Sequence, residues 1–172
     1  VMVAFVLAVS AVITGAITGS KPDKVVKTMV TAIQNNDAKQ YYSLYDEQIK
    51  EYYKENWYYG DEETFDAVTK PLRESRDFYI SKCGEDFSLK YRIKNVTYIP
   101  EESVESVNEA LQTSFNYSDF AKKIALLDFE IEAKGEKGGY KTVYEKLTCL
   151  QINGKWYIQT SAVDILEDSF EE

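Results

Sequence analysis

The sequence predicts an α+β domain in which N-terminal helices pack in the concave face of a curved antiparallel sheet, a cone, preceded by a membrane-spanning or signal helix. Three observations predict it. Residues 1–19 carry no charged side chain. Apolar residues then recur at helical spacing as far as about residue 82, and from Phe87 onward they alternate with polar ones, a change of period from about 3.6 to about 2. Helices grouped first and strands afterwards put the helices on one face of one sheet, and a strongly bent sheet of that kind encloses an interior that can hold a ligand.

As a helix, Val1–Gly19 reaches roughly 28 Å, against roughly 30 Å of bilayer hydrocarbon. It reads as a transmembrane anchor, or as a signal segment cleaved near the small residues Gly15, Ala16 and Gly19. Both readings export the remainder of the chain. The expected place is the cell membrane, single-pass, with the domain extracytoplasmic; the alternative is secretion after cleavage. The chain opens with Val and no Lys or Arg precedes the span, so the natural start is expected upstream and flanking charge leaves the orientation open.

The domain is expected over residues 20–163. Ser20 and Asp23 suit the start of a first helix whose stripe is Val26, Met29, Val30 and Ile33. Asn35-Asn36-Asp37 breaks it, and Asp37 with Gln40 caps a second helix running to Ile49. Tyr52, Tyr53, Trp57, Tyr58 and Tyr59 then form the densest aromatic cluster of the chain, ending at Gly60. A third helix runs from Glu62 or Asp66 toward Lys82, with Pro71 either dividing it or marking its first turn.

After Gly84, the alternation Phe87, Leu89, Tyr91, Ile93 shifts phase at Val96 and Tyr98, which predicts a long strand with a bulge. Val104, Val107, Ala110 and Leu111 mark a short helix over residues 103–115. Leu127, Phe129, Ile131 and Ala133 alternate with Asp128, Glu130 and Glu132, a half-buried strand with an acidic outer face. Asn153-Gly154 is a hairpin turn between the last two strands. Residues 164–172 form an acidic C-terminal tail.

The net charge of −9 and the absence of histidine argue against nucleic acid, since phosphate binding needs clustered Lys and Arg. They also remove the usual near-neutral proton shuttle and the Ser-His-Asp and Cys-His nucleophile pairs. No cofactor or metal is expected, because Cys83 and Cys149 have no ligand spacing and the acidic groups do not match a calcium loop. The two cysteines either form one disulfide in an oxidising exterior or behave as small buried hydrophobes.

Pro22-Asp23-Lys24-Val25-Val26, Ile33-Gln34-Asn35-Asn36-Asp37-Ala38 and Ile152-Asn153-Gly154-Lys155-Trp156-Tyr157-Ile158 occur in that order. Together they resemble the nuclear transport factor 2-like, cone-shaped superfamily, in particular its small exported or membrane-anchored bacterial members. The resemblance implies a cone pocket and a homodimer through the sheet. Its enzymes, of the ketosteroid isomerase and polyketide cyclase groups, use carboxylates, and sometimes tyrosines or histidines, inside the cone; this chain has no histidine.

The expected function is a non-catalytic, membrane-tethered extracytoplasmic domain binding a small molecule, a wall component or a protein partner. Candidate ligand-binding residues are Tyr41, Tyr45, Tyr91, Tyr98, Trp57 and Tyr58. Flat aromatic faces of the kind clustered at Tyr52–Tyr59 can stack on sugar rings, or they can pack helix ends over the cone mouth. Two alternatives stand beside this: an isomerase- or cyclase-type enzyme using a carboxylate–tyrosine pair, and a structural module of an envelope complex. An apolar pocket favours binding, a buried carboxylate beside a tyrosine hydroxyl favours catalysis, and a filled cone with an exposed sheet favours assembly.

Overall fold

The structure is a computed structural model and describes residues 21–159. The expected span over residues 1–19, the Ser20 cap and the acidic tail 164–172 lie outside the described residues. Among those described, no helix is long and apolar enough to cross a membrane.

Helix α1 (Asp23–Asn35) buries Val26, Met29, Val30 and Ile33, the stripe its spacing predicts, together with Val25 and Ala32. Asn36 ends it in the left-handed conformation. Asp37 then starts α2 (Ala38–Tyr42), its Oδ1 accepting the Gln40 N–H at 2.9 Å. The helix expected to continue to Ile49 does not do so. Asp46 opens a separate α3 (Glu47–Tyr53), and its Oδ1 accepts the N–H groups of Gln48 and Ile49 at 2.8 and 3.3 Å, because a short acidic side chain competes with the backbone and favours a helix start over a helix interior.

α3 widens into a π-helical turn, Lys54–Tyr58, and Tyr59 comes next at φ 58°. Helix α4 (Asp61–Cys83) then runs unbroken with Pro71 inside it. Proline leaves the carbonyl four residues back without its donor. Around that turn, Thr69 Oγ1 donates to the Phe65 carbonyl at 2.8 Å and Arg73 Nη2 to the Asp66 carbonyl at 2.9 Å.

Four antiparallel strands come after it, in the spatial order of the chain: β1 (Ser88–Tyr98), β2 (Lys123–Gly135), β3 (Gly138–Ile152) and β4 (Lys155–Ile158). Helix α5 (Glu101–Phe115) connects β1 to β2 and buries Val104, Val107 and Leu111. Asn153 and Gly154 both take positive φ, 50° and 79°, as a two-residue hairpin turn requires. The bulge expected in β1 is present at Lys94, opposite the step from Asp128 to Phe129. Its counterpart in β3 lies at the same level, where Glu145 and Lys146 face Asp128, and Asp128 Oδ1 accepts the Lys146 N–H at 2.9 Å.

One face of the sheet is core. Ala125, Leu127, Phe129, Ile131 and Ala133 of β2 are fully buried. Beside them in register lie Tyr98, Val96, Ile93, Tyr91 and Leu89 of β1 and Cys149, Leu147, Tyr144, Thr142 and Tyr140 of β3. Phe129 and Tyr144 stack at 4.6 Å and 4°. Helices α1 and α4 lie against this face: α1 touches β1 and β4, α4 touches β2 and β3, and the Tyr79 hydroxyl meets Thr142 Oγ1 at 3.1 Å. The Gln34 side chain joins α1 to the start of β1, donating to the Phe87 carbonyl at 2.9 Å and accepting the Leu89 N–H at 2.7 Å.

On the other face β2 carries Asp128, Glu130 and Glu132, the acidic outer side that its alternation predicts, but one of the three is not open to solvent. Glu130 is buried by bases from the flanking strands: Arg92 Nη2 at 2.7 Å, Lys94 Nζ at 2.9 Å and Lys141 Nζ at 3.4 Å. Alternation places Glu130 outward but says nothing of the cations that neighbouring strands bring to it.

Cys83 and Cys149 are free and buried, so the disulfide alternative is not realised. Cys83 ends α4 against Gly135, where an added Cβ would run into the Cys83 carbonyl oxygen, whereas Cys149 pairs with Ala125. Ten residues of one strand separate those two neighbours, about 33 Å of extended chain, far beyond the roughly 7 Å that a bridge tolerates between Cα atoms.

Candidate functional site

The six candidate residues fall into three places. Tyr41 and Tyr45 lie side by side in the core, ring centroids 6.3 Å apart. Burial raises both hydroxyls, Tyr45 to about 12, so neither ionises near neutral pH. Tyr91 and Tyr98 stand six rungs apart on the core face of β1, opposite Ile131 and Ala125. Burial and then the Asp23 carboxylate raise each of them. One Asp23 oxygen, Oδ1, is itself buried without a hydrogen-bond partner among the described residues.

Trp57 and Tyr58 belong to the third place, the π-helical turn. Tyr53 is buried and stacks on Trp57 at 4.6 Å and 18°. Tyr52 meets Trp57 edge-on at 5.8 Å and Phe115 of α5 at 5.2 Å. The cluster is divided between packed and exposed rings. Tyr52 and Tyr53 pack helix ends together, while Trp57 and Tyr59 are 51% and 80% exposed and Tyr58 is also exposed. π-Helical turns and bulky residues at positive φ are uncommon and concentrate at functional sites. The result is an aromatic ledge, anchored from below and open to solvent above.

Charges surround it. Lys50 forms an ion pair with Glu47 at 2.8 Å and sits 4.3 Å from the centre of the Tyr42 ring. Lys54 bridges Glu51 and Asp61 at 3.5 and 3.0 Å, which raises its pKa, the Asp61 hydrogen bond most of all.

Sequence reasoning missed one buried pair. Tyr117 donates to Asp46 Oδ2 at 2.6 Å. Burial raises the Asp46 carboxyl despite that bond and the two N–H groups of α3, and burial followed by the Asp46 charge raises the Tyr117 hydroxyl further. Both carboxylate oxygens are thus engaged in holding α3 and the segment after α5. Gln48 reinforces the junction, its Oε1 accepting the N–H groups of Ser118 and Asp119 at 2.8 Å each.

Two grooves open at the surface. One, of about 260 Å³, lies between α4 and β3, lined by Glu74, Ser75, Phe78, Tyr79, Thr142 and Tyr144. The other, of about 310 Å³, lies along α5, lined by Glu105, Asn108, Glu109, Gln112 and Phe120. Neither is lined by any of the six candidate residues. No family model matches this chain, and no curated protein or solved structure does either. Among the described residues, no group of His, Cys, Asp or Glu is arranged to hold a metal ion.

Proposed function

We propose that this chain is a non-catalytic, membrane-tethered extracytoplasmic interaction domain of the nuclear transport factor 2-like type, and that the aromatic ledge around Trp57 is its recognition surface. The single observation that carries this reading is the exposure of Trp57 and Tyr58 on a π-helical turn, and of Tyr59 just after it, above a ring, Tyr53, that fixes Trp57 from below. Exposed Trp and Tyr on a rigid base give large contact area with little side-chain entropy to lose. The tether rests on the uncharged run of residues 1–19.

A cone-like curvature is supported by two features. Tyr98 of β1 and Trp156 of β4 bring their rings to 6.2 Å, although three strand spacings, about 14 Å, separate those strands in a flat sheet. The paired bulges beside Asp128 bend the sheet along one line. Tyr41, Tyr45, Tyr79 and Tyr117 are all buried in the core, which favours a partner on the surface over a small molecule inside. The outer sheet face, with Val143 exposed beside Glu130, is the natural surface for a homodimer or an envelope assembly.

The test is binding of the full chain in phosphatidylcholine nanodiscs to a panel of wall polysaccharides, peptides and small apolar ligands. Trp57→Ala and Tyr59→Asn should weaken whichever binding is found. Equal binding by both variants, or tight binding of a small apolar ligand alone, overturns the reading. An isomerase- or cyclase-type enzyme is a second reading, favoured by the buried, unpartnered Asp23 oxygen, whose charge raises the Tyr91 and Tyr98 hydroxyls. It requires that Asp23→Asn abolish proton exchange at the carbon next to a ketone in a steroid-like substrate.

A further inference from the structure

We infer that the aromatic ledge receives a cationic partner, a run of Arg and Lys side chains on another polypeptide. This rests on the ledge being the recognition surface and adds the chemistry of what it recognises. Within residues 47–66, which carry the ledge, seven carboxylates stand against two lysines. Neither lysine is free to repel a cation: Lys50 is buried against Glu47 and the Tyr42 ring, and Lys54 is held between Glu51 and Asp61. Glu55, Glu62 and Glu63 remain exposed around Trp57 and Tyr59 in the chain.

An ammonium or guanidinium is attracted to the face of an aromatic ring and to nearby carboxylates at once. The segment already makes that combination with its own residues, since Lys50 lies over a tyrosine ring while paired to a glutamate. A partner's basic side chains would repeat it on the exposed rings. Anionic wall polymers and anionic lipids are repelled by the same carboxylates. A neutral glycan would use the rings and gain nothing from the charges.

The experiment uses the full chain in phosphatidylcholine nanodiscs and a fluorescently labelled peptide of alternating Arg and Lys with Gly spacers. Controls are a Glu-rich peptide of equal length and a neutral oligosaccharide. Anisotropy and quenching of Trp57 emission are read together. The basic peptide should bind with a salt-sensitive affinity, and Glu55→Gln with Glu62→Gln should weaken it. Trp57→Ala and Tyr59→Asn, which leave the net charge unchanged, should weaken it by at least about threefold. Asn keeps the left-handed backbone available.

Basic-peptide binding that ignores both aromatic substitutions is attraction to the net charge alone and overturns the inference. So does ledge-dependent binding of the oligosaccharide or the acidic peptide, an outcome that leaves the recognition surface itself intact. Loss of every ledge-dependent interaction overturns both.

Discussion

The Tyr117 hydroxyl donates to Asp46 Oδ2 at 2.6 Å while the other oxygen of the same carboxylate caps α3. One side chain thereby starts a helix and ties it to the segment beyond α5. Replacing Tyr117 by Phe removes the donor and leaves a buried carboxylate oxygen unsatisfied, at a cost of about 1–3 kcal/mol. Urea unfolding should register this as a lower midpoint with an unchanged slope. The variant should also raise the Asp46 pKa further, since Tyr117 is the strongest of the contacts that lower it. An unaltered midpoint would mean that the pair is incidental.

Glu130 gives the opposite pH behaviour. Lys94 first, then Arg92 and Lys141, hold its carboxyl at about 2, below the ordinary 4.5. Between those values the unfolded chain binds the proton and the folded one does not, so stability rises with pH across that window. The contribution is complete above the ordinary value and is lost as pH falls through about 2. Glu130→Gln should therefore melt below the wild type at neutral pH, and the gap should close as pH falls. A gap that stays constant with pH would assign Glu130 a packing role only.

The thiols are predicted to be inert. Burial pushes Cys149 up to about 12, which leaves it protonated near neutral pH, and Cys83 is fully buried and closed to reagents. An aromatic disulfide reagent should label neither thiol of the folded chain and both thiols in strong guanidinium. A reducing agent should leave the melting temperature unchanged. Rapid labelling of the native protein would contradict the packing described for both residues.

The two tryptophans differ enough to be told apart in solution. Trp57 is 51% exposed and Trp156 is 6% exposed. Acrylamide should quench the Trp57 component readily, and Trp57→Phe should remove that component and shift the remaining emission to shorter wavelength. If quenching survives the substitution, the ledge is covered in solution.

Local signals made much of the fold legible. The Asp37–Gln40 cap, the Asn153-Gly154 hairpin, the change of period at Phe87 and the bulge after Ile93 each depend on residues within a few positions of one another. The break at Asp46 could have been suspected from its acidic side chain, but its partner Tyr117 lies 71 residues away. The burial of Glu130 depends on cations from two other strands, and no periodicity reports that. Pro71 lies inside one unbroken helix, and nothing in the residues beside it announces that outcome over a break. The aromatic cluster was visible as composition, whereas the division between anchored Tyr53 and open Trp57 comes from the π-helical turn, which has no such local signature.

The bulges at Lys94 and at Glu145–Lys146 flank the same point of β2. Sliding β2 by one residue against either neighbour would strand an extra residue at the wrong rung and turn the Phe129 face outward. To slip past both neighbours it would have to move two irregularities together. The central strand is thus keyed on each side, like a rod with matching notches, and the sheet is guarded against misregistered pairing during folding.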